Sequence, residues 1–279
     1  MARLQHHVTA LLLLTLAATG ACKQTDAPPP SEPAEDKPAT VEDLDWKQRV
    51  AIKSDEVQRK DPGQHQQLLE LQSKKDAAGV PSLEGPLVEN NPDAAPVLVT
   101  RMLDGKESNQ NKEAIAYALP RTGGDWSEAA AALIPLEADP RVRKALVESM
   151  RYAEDPHGVE GLRHGFKDEE AEIRAAAART AGFNPSGRML YNELLSGLFA
   201  EDWDMRAASA QSLGKLEMKE AESALRRSLA DEHEQVRLYS LLALEKISPD
   251  NVGGFPEVAK LRSDPSEPVA SEANRISKR

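Results

Sequence analysis

The chain has 279 residues, of which 46 are Asp or Glu and 35 are Lys or Arg, giving a formal net charge of −11. This negative total argues against generic binding to nucleic acid or to anionic lipid surfaces, which select basic proteins. The chain contains one cysteine, Cys22. Any thiol chemistry is therefore confined to that position.

The N-terminal segment, positions 1–21, has the pattern of an export signal. It carries a single arginine, Arg3, followed by a leucine-rich apolar run at positions 8–18. That run is too short to span a bilayer, which needs about 20 apolar residues, and is typical of a cleaved secretory signal. We therefore expect residues 1–21 to be removed on export, with an uncleaved membrane anchor as the alternative.

The four residues Thr19-Gly20-Ala21-Cys22 resemble the lipobox of bacterial lipoproteins. The resemblance implies cleavage after Ala21 and lipid attachment to Cys22, which would hold the protein permanently on a membrane. By the same resemblance, Lys23 at the next position implies the outer membrane. The periplasmic face is the expected location and the cell surface the alternative, while a plain secreted protein is the competing interpretation of the signal.

Two segments are predicted between the signal and the second half of the chain. Residues 22–43 are rich in Pro, Asp and Glu and contain one valine, so they bury too little apolar area to fold and should form a disordered tether. Residues 44–94 should form a helical cap and an irregular linker. The alternatives for this second segment are a separate docking element and a partly disordered stretch.

Within residues 44–94, the sequence predicts helices at Leu44–Lys60 and Gln64–Lys75, separated by Asp61-Pro62-Gly63. Residues 76–93 contain three prolines and are predicted to be irregular. A helix at Ala94–Leu103 should then begin the next region, because its proline lies in the first turn, where a missing N–H costs little.

A short pattern recurs in the second half of the chain and predicts a helical repeat. Each copy opens with an Asp, followed by an apolar anchor and an Arg. The arginines are almost evenly spaced, at positions 143, 174, 206 and 237. Mostly small and apolar residues recur three, four, seven and eight positions after the anchor, on one face of a helix. Degenerate copies flank the series at Lys112 and Asp264. A fixed period of this length is typical of stacked helical units.

The pattern resembles HEAT-like repeats of the short bacterial kind, in which Asp…(Val/Ile)-Arg opens the second helix of each pair. The resemblance covers residues 95–279. It implies an all-α fold, a right-handed α-solenoid of about five to six two-helix repeats. Related repeats also occur in chromophore lyases for phycobilin attachment, so the resemblance does not fix a function.

The periodic Asp and Arg residues have two interpretations. They could pair between neighbouring repeats as a structural ladder, or the arginines could line a mildly basic groove for an acidic protein segment or an anionic glycan. We expect each Asp to cap its helix by accepting N–H groups of the first turn. The predicted ladder contains Asp139, Arg143, Asp168, Arg174, Asp202, Arg206, Asp231 and Arg237.

A candidate interaction surface is predicted from residues that lie outside this periodicity. The non-periodic cations should be freer to bind a partner, and Trp203 is either a surface anchor or a local lid. Three leucines lie off the core positions of one helix, where a sixth repeat covers them or they form an exposed patch. The candidate surface comprises Lys144, Arg151, Arg179, Trp203, Lys215, Leu238, Leu241 and Leu242.

Signatures of catalysis and metal binding are sparse. His157 and His164 could share a helix face with Glu160, but no third ligand has regular spacing, so no metal site is expected. The sequence has no Gly-x-Ser-x-Gly motif and no phosphate-binding glycine loop. No cofactor is expected apart from the covalent lipid on Cys22.

The sequence therefore predicts a membrane-anchored lipoprotein that is not an enzyme and acts as a protein–protein interaction scaffold in the bacterial cell envelope. Its partners would be envelope proteins of unidentified type and not nucleic acid, and it would contact the membrane through the lipid alone. The alternative is an accessory factor or lyase-like enzyme of envelope assembly, or an anionic-glycan binder.

Overall fold

The computed structural model describes residues 44–278. The predicted signal peptide (1–21) and tether (22–43), with the lipid site Cys22, lie outside the described residues. Within residues 44–278 the fold is all-α, with fourteen α-helices and one short β-hairpin whose strands have two residues each. None of the helices in this part of the chain is long and apolar enough to cross a membrane.

Two helices precede the repeats. Helix α1 (Trp46–Lys60) begins with a capping box, because the Asp45 side chain accepts the Gln48 N–H and the Gln48 side chain accepts the Asp45 N–H. Helix α2 spans Pro62–Glu70, so the predicted bounds Gln64–Lys75 are wrong at both ends.

The physical reasons differ for the two ends of α2. Proline is tolerated in the first turn, and Asp61 caps the helix by accepting the Gln64 N–H. At the other end, Lys74–Lys75 (β1) pairs antiparallel with Pro81–Ser82 (β2). The segment 76–93, for which the sequence predicts irregular structure, contains the second strand of this hairpin.

Helix α1 packs against the first helices of the following repeats, and ion pairs join them. Lys53 lies 2.9 Å from Asp125, and Arg49 pairs with Glu128. The buried Arg101 guanidinium donates to the carbonyls of residues 68 and 71, at 2.9 and 2.8 Å. These contacts seat the helical pair on the first two repeats.

Six helix pairs follow, so the predicted stack of about five to six two-helix repeats is confirmed. In each pair we call the first helix A and the second helix B. The pairs are α3 (Ala94–Leu103) with α4 (Asn109–Ala118), α5 (Ser127–Leu133) with α6 (Pro140–Ser149), α7 (Pro156–Phe166) with α8 (Ala171–Ala181), α9 (Tyr191–Gly197) with α10 (Trp203–Lys215), α11 (Glu222–Ser228) with α12 (Glu234–Ile247), and α13 (Pro256–Leu261) with α14 (Glu267–Ile276).

The B helices pack side by side as one layer, and α10 has its most extensive contacts with α8 and α12. Small residues allow these helices to approach closely. A Cβ atom added to Gly214 of α10 would lie 2.7 Å from both Cα and Cβ of Ala243 in α12. The Ser212 hydroxyl donates to the Ala178 carbonyl of α8 at 2.6 Å. In contrast, α9, α11 and α13 contact mainly the B helices of their own repeats.

The sixth repeat covers part of α12. Leu241 is fully buried, and α14 packs on α12. The prediction that Leu241 belongs to an interaction surface is therefore wrong, because this side chain is part of the hydrophobic core. Leu238 and Leu242 are half-buried.

Candidate binding surface

Three of the periodic arginines pair with aspartates of the next repeat. Arg143 binds Asp168, Arg206 binds Asp231 and Arg237 binds Asp264, each through Nε and Nη2 to the two carboxylate oxygens at 2.7–3.1 Å. The Nη1 of each arginine donates to the carbonyls five and six residues before it. The three arginines are only 7–9% exposed. We call these inter-repeat pairs the arginine ladder.

The aspartates occupy two different positions, although the sequence pattern treats them as equivalent. Asp139 and Asp202 are N-caps of their own helices. Asp168 and Asp231 lie two residues before the N-cap and accept the N–H of the capping residue. The expectation that every periodic Asp is the N-cap is therefore wrong for Asp168 and Asp231.

Each carboxylate that binds both Nε and Nη2 of a ladder arginine lies six residues before the periodic position of the next repeat, which is Arg174 for Asp168, Arg237 for Asp231 and Ala270 for Asp264. Asp168 precedes Arg174 by six residues, and Glu137 precedes Arg143 by six and pairs with Lys112 at 3.0 Å. Before Arg206, the residue at this position is Ala200. The ladder therefore lacks a carboxylate at one repeat.

This difference leaves Arg174 without a ladder partner. Its Nη1 donates to the carbonyls of residues 168 and 169, at 2.8 Å each, as in the other repeats. Among residues 44–278 no carboxylate lies within ion-pair distance of its guanidinium. The predicted ladder roles of Asp139, Arg174 and Asp202 are wrong, because the two aspartates cap their own helices and Asp202 lies two residues beyond the ladder position.

Ala200→Asp is expected to raise the free energy of unfolding by about 1 kcal/mol, because it supplies the missing charge-assisted pair to Arg174. The backbone is suited to the change, since the N–H of residue 200 donates to residue 197 as the N–H of Asp168 donates to residue 165. Chemical unfolding followed by circular dichroism measures the effect. Ala200→Asn, which lacks the charge, should give a much smaller gain, and an equal gain in both variants would contradict the explanation.

The charge on two ladder aspartates, Asp231 and Asp264, is stabilised by their arginines. Burial alone would raise the pKa of Asp231, but hydrogen bonds from Arg206 and from the His233 N–H, together with the Arg206 charge, outweigh it. The pKa of Asp231 is therefore held below its usual value, and the carboxylate stays ionised at neutral pH.

The N-cap Asp139 should make the stability of the protein depend on pH in the acid range. A hydrogen bond from the Arg141 side chain lowers the pKa of Asp139 to about 2, and the Arg141 N–H and the Asn109 amide act in the same direction. A folded-state pKa below the unfolded value contributes stability above about pH 4 that is lost as the pH falls towards 2. Between pH 5 and 2 the free energy of unfolding of the wild type should fall by about 1 kcal/mol more than that of Asp139→Asn. The difference is no larger because solvent screens the charge of the exposed Arg141. Urea unfolding at several pH values tests this, and parallel pH profiles would contradict it.

Two cations of the candidate surface are already paired with acids on the neighbouring B helix. Lys144 of α6 pairs with Glu172 of α8, and Arg179 of α8 lies 2.7 Å from Asp204 of α10. The prediction that these two cations are free to bind a partner is therefore wrong. Because the B helices pack side by side, each of these two cations lies next to an acidic side chain of the neighbouring helix.

The other two cations, Arg151 and Lys215, lie over the ring of Phe183. The Arg151 Cζ is 4.5 Å and the Lys215 Nζ 3.3 Å from the ring centroid, and Arg151 also lies 5.2 Å from the ring of Tyr152. In the described part of the chain neither cation has a carboxylate within ion-pair distance. Burial, with the charge of Arg151, lowers the pKa of Lys215. We call Arg151, Tyr152, Phe183 and Lys215 the Phe183 cluster.

The Phe183 cluster borders a cleft of about 360 Å³ between the C-terminal ends of α4, α6 and α8. Its lining includes Tyr117, whose hydroxyl donates to Glu148 at 2.8 Å. Burial and the Glu148 charge raise the pKa of Tyr117, so its phenol stays protonated. Phe183 is 49% and Tyr152 60% exposed. The site combines an aromatic surface with two unpaired cations, which suits an anionic ligand that also has an apolar part.

The aromatic members of the Phe183 cluster were missed in the sequence, although a signal was present. Positions 151, 183 and 215 are evenly spaced, at the repeat period. They therefore occupy equivalent positions at the ends of three successive B helices. A search for exposed residue types at that period, beyond the core positions, would have brought Phe183 together with the two cations.

The comparisons with known proteins bear on the repeats. Residues 191–275, from α9 into α14, match the family model of HEAT repeats. Residues 191–275 are therefore HEAT-like repeats. HEAT repeats are typical of protein–protein interaction scaffolds, and the six repeats described here have that architecture.

Two solved structures resemble the chain at low sequence identity. A crystal structure of an engineered protein is 20% identical, covers 65% of this chain and 94% of that chain, and has a TM-score of 0.48. The complex of CpcE and CpcF of phycocyanin lyase from Nostoc sp. PCC7120 is 17% identical, covers 89% of this chain and 98% of that chain, and has a TM-score of 0.34. No curated protein matches the chain.

Trp203 contacts the next HEAT-like repeat. It is the first residue of α10, and its ring stacks on His233, with centroids 3.9 Å apart and planes at 10°. His233 is in turn the N-cap of α12, where its side chain accepts the Gln235 N–H. Trp203 is 39% exposed, so one part of its surface serves the repeat interface and the remainder faces solvent.

The histidines of α7 do not assemble a metal centre with other ligands. The Nδ1 of His157 lies 3.3 Å from Glu160 on the same helix. Among residues 44–278 no group of three or more His, Cys, Asp or Glu side chains is arranged to hold a metal ion.

Proposed function

We propose that this protein is a lipid-anchored interaction scaffold of the bacterial cell envelope. The lipobox-like sequence before Cys22 supports the anchor, and the HEAT-like repeats support the scaffold. The observation that carries the binding role is the Phe183 cluster, where two cations that have no carboxylate partner among residues 44–278 lie over an exposed ring. Both cationic side chains are exposed at the surface and are available to a ligand.

In this proposal the partner is a protein of the same envelope, and nucleic acid is not a ligand. The protein touches the membrane only through lipid on Cys22, at the periplasmic face of the outer membrane. It binds without catalysing a reaction and requires no cofactor. Anchoring raises the effective concentration of the scaffold for partners on the same membrane, so a modest affinity at the cluster suffices.

The anchor is tested by growing cells with an alkyne-bearing fatty acid and analysing the N-terminal peptide by mass spectrometry. We expect a peptide that begins at Cys22 and carries the label, and no label in a Cys22→Ala variant. An unlabelled chain in the medium would favour a secreted protein. A labelled or unlabelled chain that retains Met1 would also contradict the proposed processing.

The binding role is tested by placing a photo-crosslinking phenylalanine analogue at Tyr152 and irradiating intact membranes. We expect one or two defined protein products, which should be lost when Arg151→Ala and Lys215→Ala are combined. The control combines Arg59→Ala with Lys278→Ala, which removes two exposed cations elsewhere and should leave the products unchanged. Products that are equally abundant in both double variants would contradict the proposal.

The unpaired cations of the Phe183 cluster also favour a second candidate, an anionic-glycan binder. The same crosslinking separates the two. Products that resist protease but are shortened by a polysaccharide hydrolase would identify a glycan, and products digested by protease would identify a protein. An accessory role in envelope assembly would give a protein product that belongs to an assembly enzyme.

A further inference from the structure

The interrupted ladder leaves an arginine whose carboxylate-binding edge is available. In three repeats the same arginine is held by two carbonyls through Nη1 and binds an Asp through Nε and Nη2. Arg174 has the same two carbonyl contacts, at 2.8 Å each. Its Nε and Nη2 have no hydrogen-bond partner among the described residues and are not buried atoms, so they are open to solvent.

The surroundings of Arg174 differ from those of the other arginines in one respect. The partners of the other three arginines are Asp168, Asp231 and Asp264, whereas the equivalent residue facing Arg174 is Ala200, which is preceded by Phe199, 56% exposed. The Arg227 guanidinium lies 5.3 Å from the Phe199 ring. The residue next to the vacant ladder position therefore presents an exposed ring, with a second arginine against it.

We propose that Arg174 is a carboxylate-binding site completed by an Asp or Glu side chain of a partner protein. The guanidinium fork is pre-organised by its carbonyl contacts, and the ladder shows the geometry in which this protein binds a carboxylate. An extended acidic segment with apolar neighbouring side chains fits the site, because its acid reaches Arg174 while an apolar side chain lies on Phe199. Arg227 adds a second positive charge for such a segment. The inference deepens the proposed scaffold function by naming a second, separate surface and the chemistry of its partner.

The test uses the full chain purified in mild detergent and two fluorescent blocked hexapeptides, one alternating Asp and Leu and the other alternating Asn and Leu. Fluorescence polarisation should show at least about tenfold tighter binding of the Asp peptide. Arg174→Lys should weaken that binding by about tenfold, because lysine keeps the charge but lacks the planar fork. Equal affinity for the two peptides, or no binding of the Asp peptide, would overturn the site.

The sharpest variant is Ala200→Asp, which places an internal carboxylate on Arg174. It should abolish binding of the Asp peptide while thermal stability stays at or above that of the wild type, which excludes unfolding as the cause. Ala200→Asn has nearly the same shape and should bind like the wild type. Unchanged binding in Ala200→Asp would overturn the proposal.

A further control separates this site from the Phe183 cluster. Arg151→Ala combined with Lys215→Ala should leave binding of the Asp peptide unchanged. Loss of peptide binding in that variant instead of in Ala200→Asp would assign the acid to the Phe183 cluster and reject the Arg174 site. Failure of the peptide test with crosslinked partners retained at Tyr152 would reject this inference alone, whereas loss of both would reject the proposed scaffold as well.

Discussion

Asp168→Asn is expected to lower the free energy of unfolding by about 3 kcal/mol. The Arg143 guanidinium is 7% exposed, and both of its carboxylate-facing nitrogens bind Asp168. Removing one partner of a buried ion pair leaves the other charge desolvated, which costs more than the pair itself contributes. Urea unfolding of the two proteins, with the slope m compared, measures the loss.

Asp202→Asn is the matched control for this prediction. Asp202 caps α10 by accepting the Asp204 N–H at 2.7 Å and has no ladder partner. Because Asn is as good a capping residue as Asp, the change should be below about 0.5 kcal/mol. Similar losses in Asp168→Asn and Asp202→Asn would show that capping, and not the arginine pair, is the source of the stability.

Gly214→Ala should destabilise the protein by about 2–3 kcal/mol, although alanine is the better helix former. In an exposed helix the substitution would stabilise by up to about 1 kcal/mol. Here the new Cβ would lie 2.7 Å from the Cα and the Cβ of Ala243, so α10 and α12 must separate. Calorimetric or chemical unfolding should show a lower midpoint.

Gly63→Ala provides the comparison within another helix. The nearest atom to its added Cβ is the Asp61 carboxylate at 3.4 Å, an ordinary contact. This variant should be neutral or slightly stabilised. If Gly214→Ala behaved like Gly63→Ala, the close approach of α10 and α12 would not limit the packing of the B helices.

The repeat architecture could be predicted from the sequence because its requirements lie within one repeat. Each periodic arginine donates to carbonyls five and six residues before it, so the same short pattern is needed once in every repeat. Small residues on the B helices follow the same period, since each helix meets equivalent neighbours. The helix Ala94–Leu103 was predicted with its observed bounds for a similarly local reason, a proline in the first turn.

The partners of these residues could not be predicted in the same way, because they depend on contacts between repeats. The acceptor of Arg143 lies in the next repeat. An Asp can stand four or six residues before the next periodic position, and the path of the A–B turn determines which of the two accepts hydrogen bonds from the arginine. Lys144 and Arg179 appeared unpaired for the same reason. The acids that pair with them lie on the adjacent B helix. The repeat period does not specify how far along that helix an acid must stand to reach the cation.

The unequal packing of the two helix layers has a mechanical consequence. The B helices of repeats three to five are joined through Gly214, Ser212 and the arginine ladder, whereas the A helices of the last three repeats contact mainly their own B helices. We therefore expect the B layer of these repeats to resist bending more than the A layer, because its helices are in closer contact. Two members of the Phe183 cluster, Phe183 and Lys215, lie at the ends of α8 and α10 in this segment, so we expect their contact to persist when the array bends.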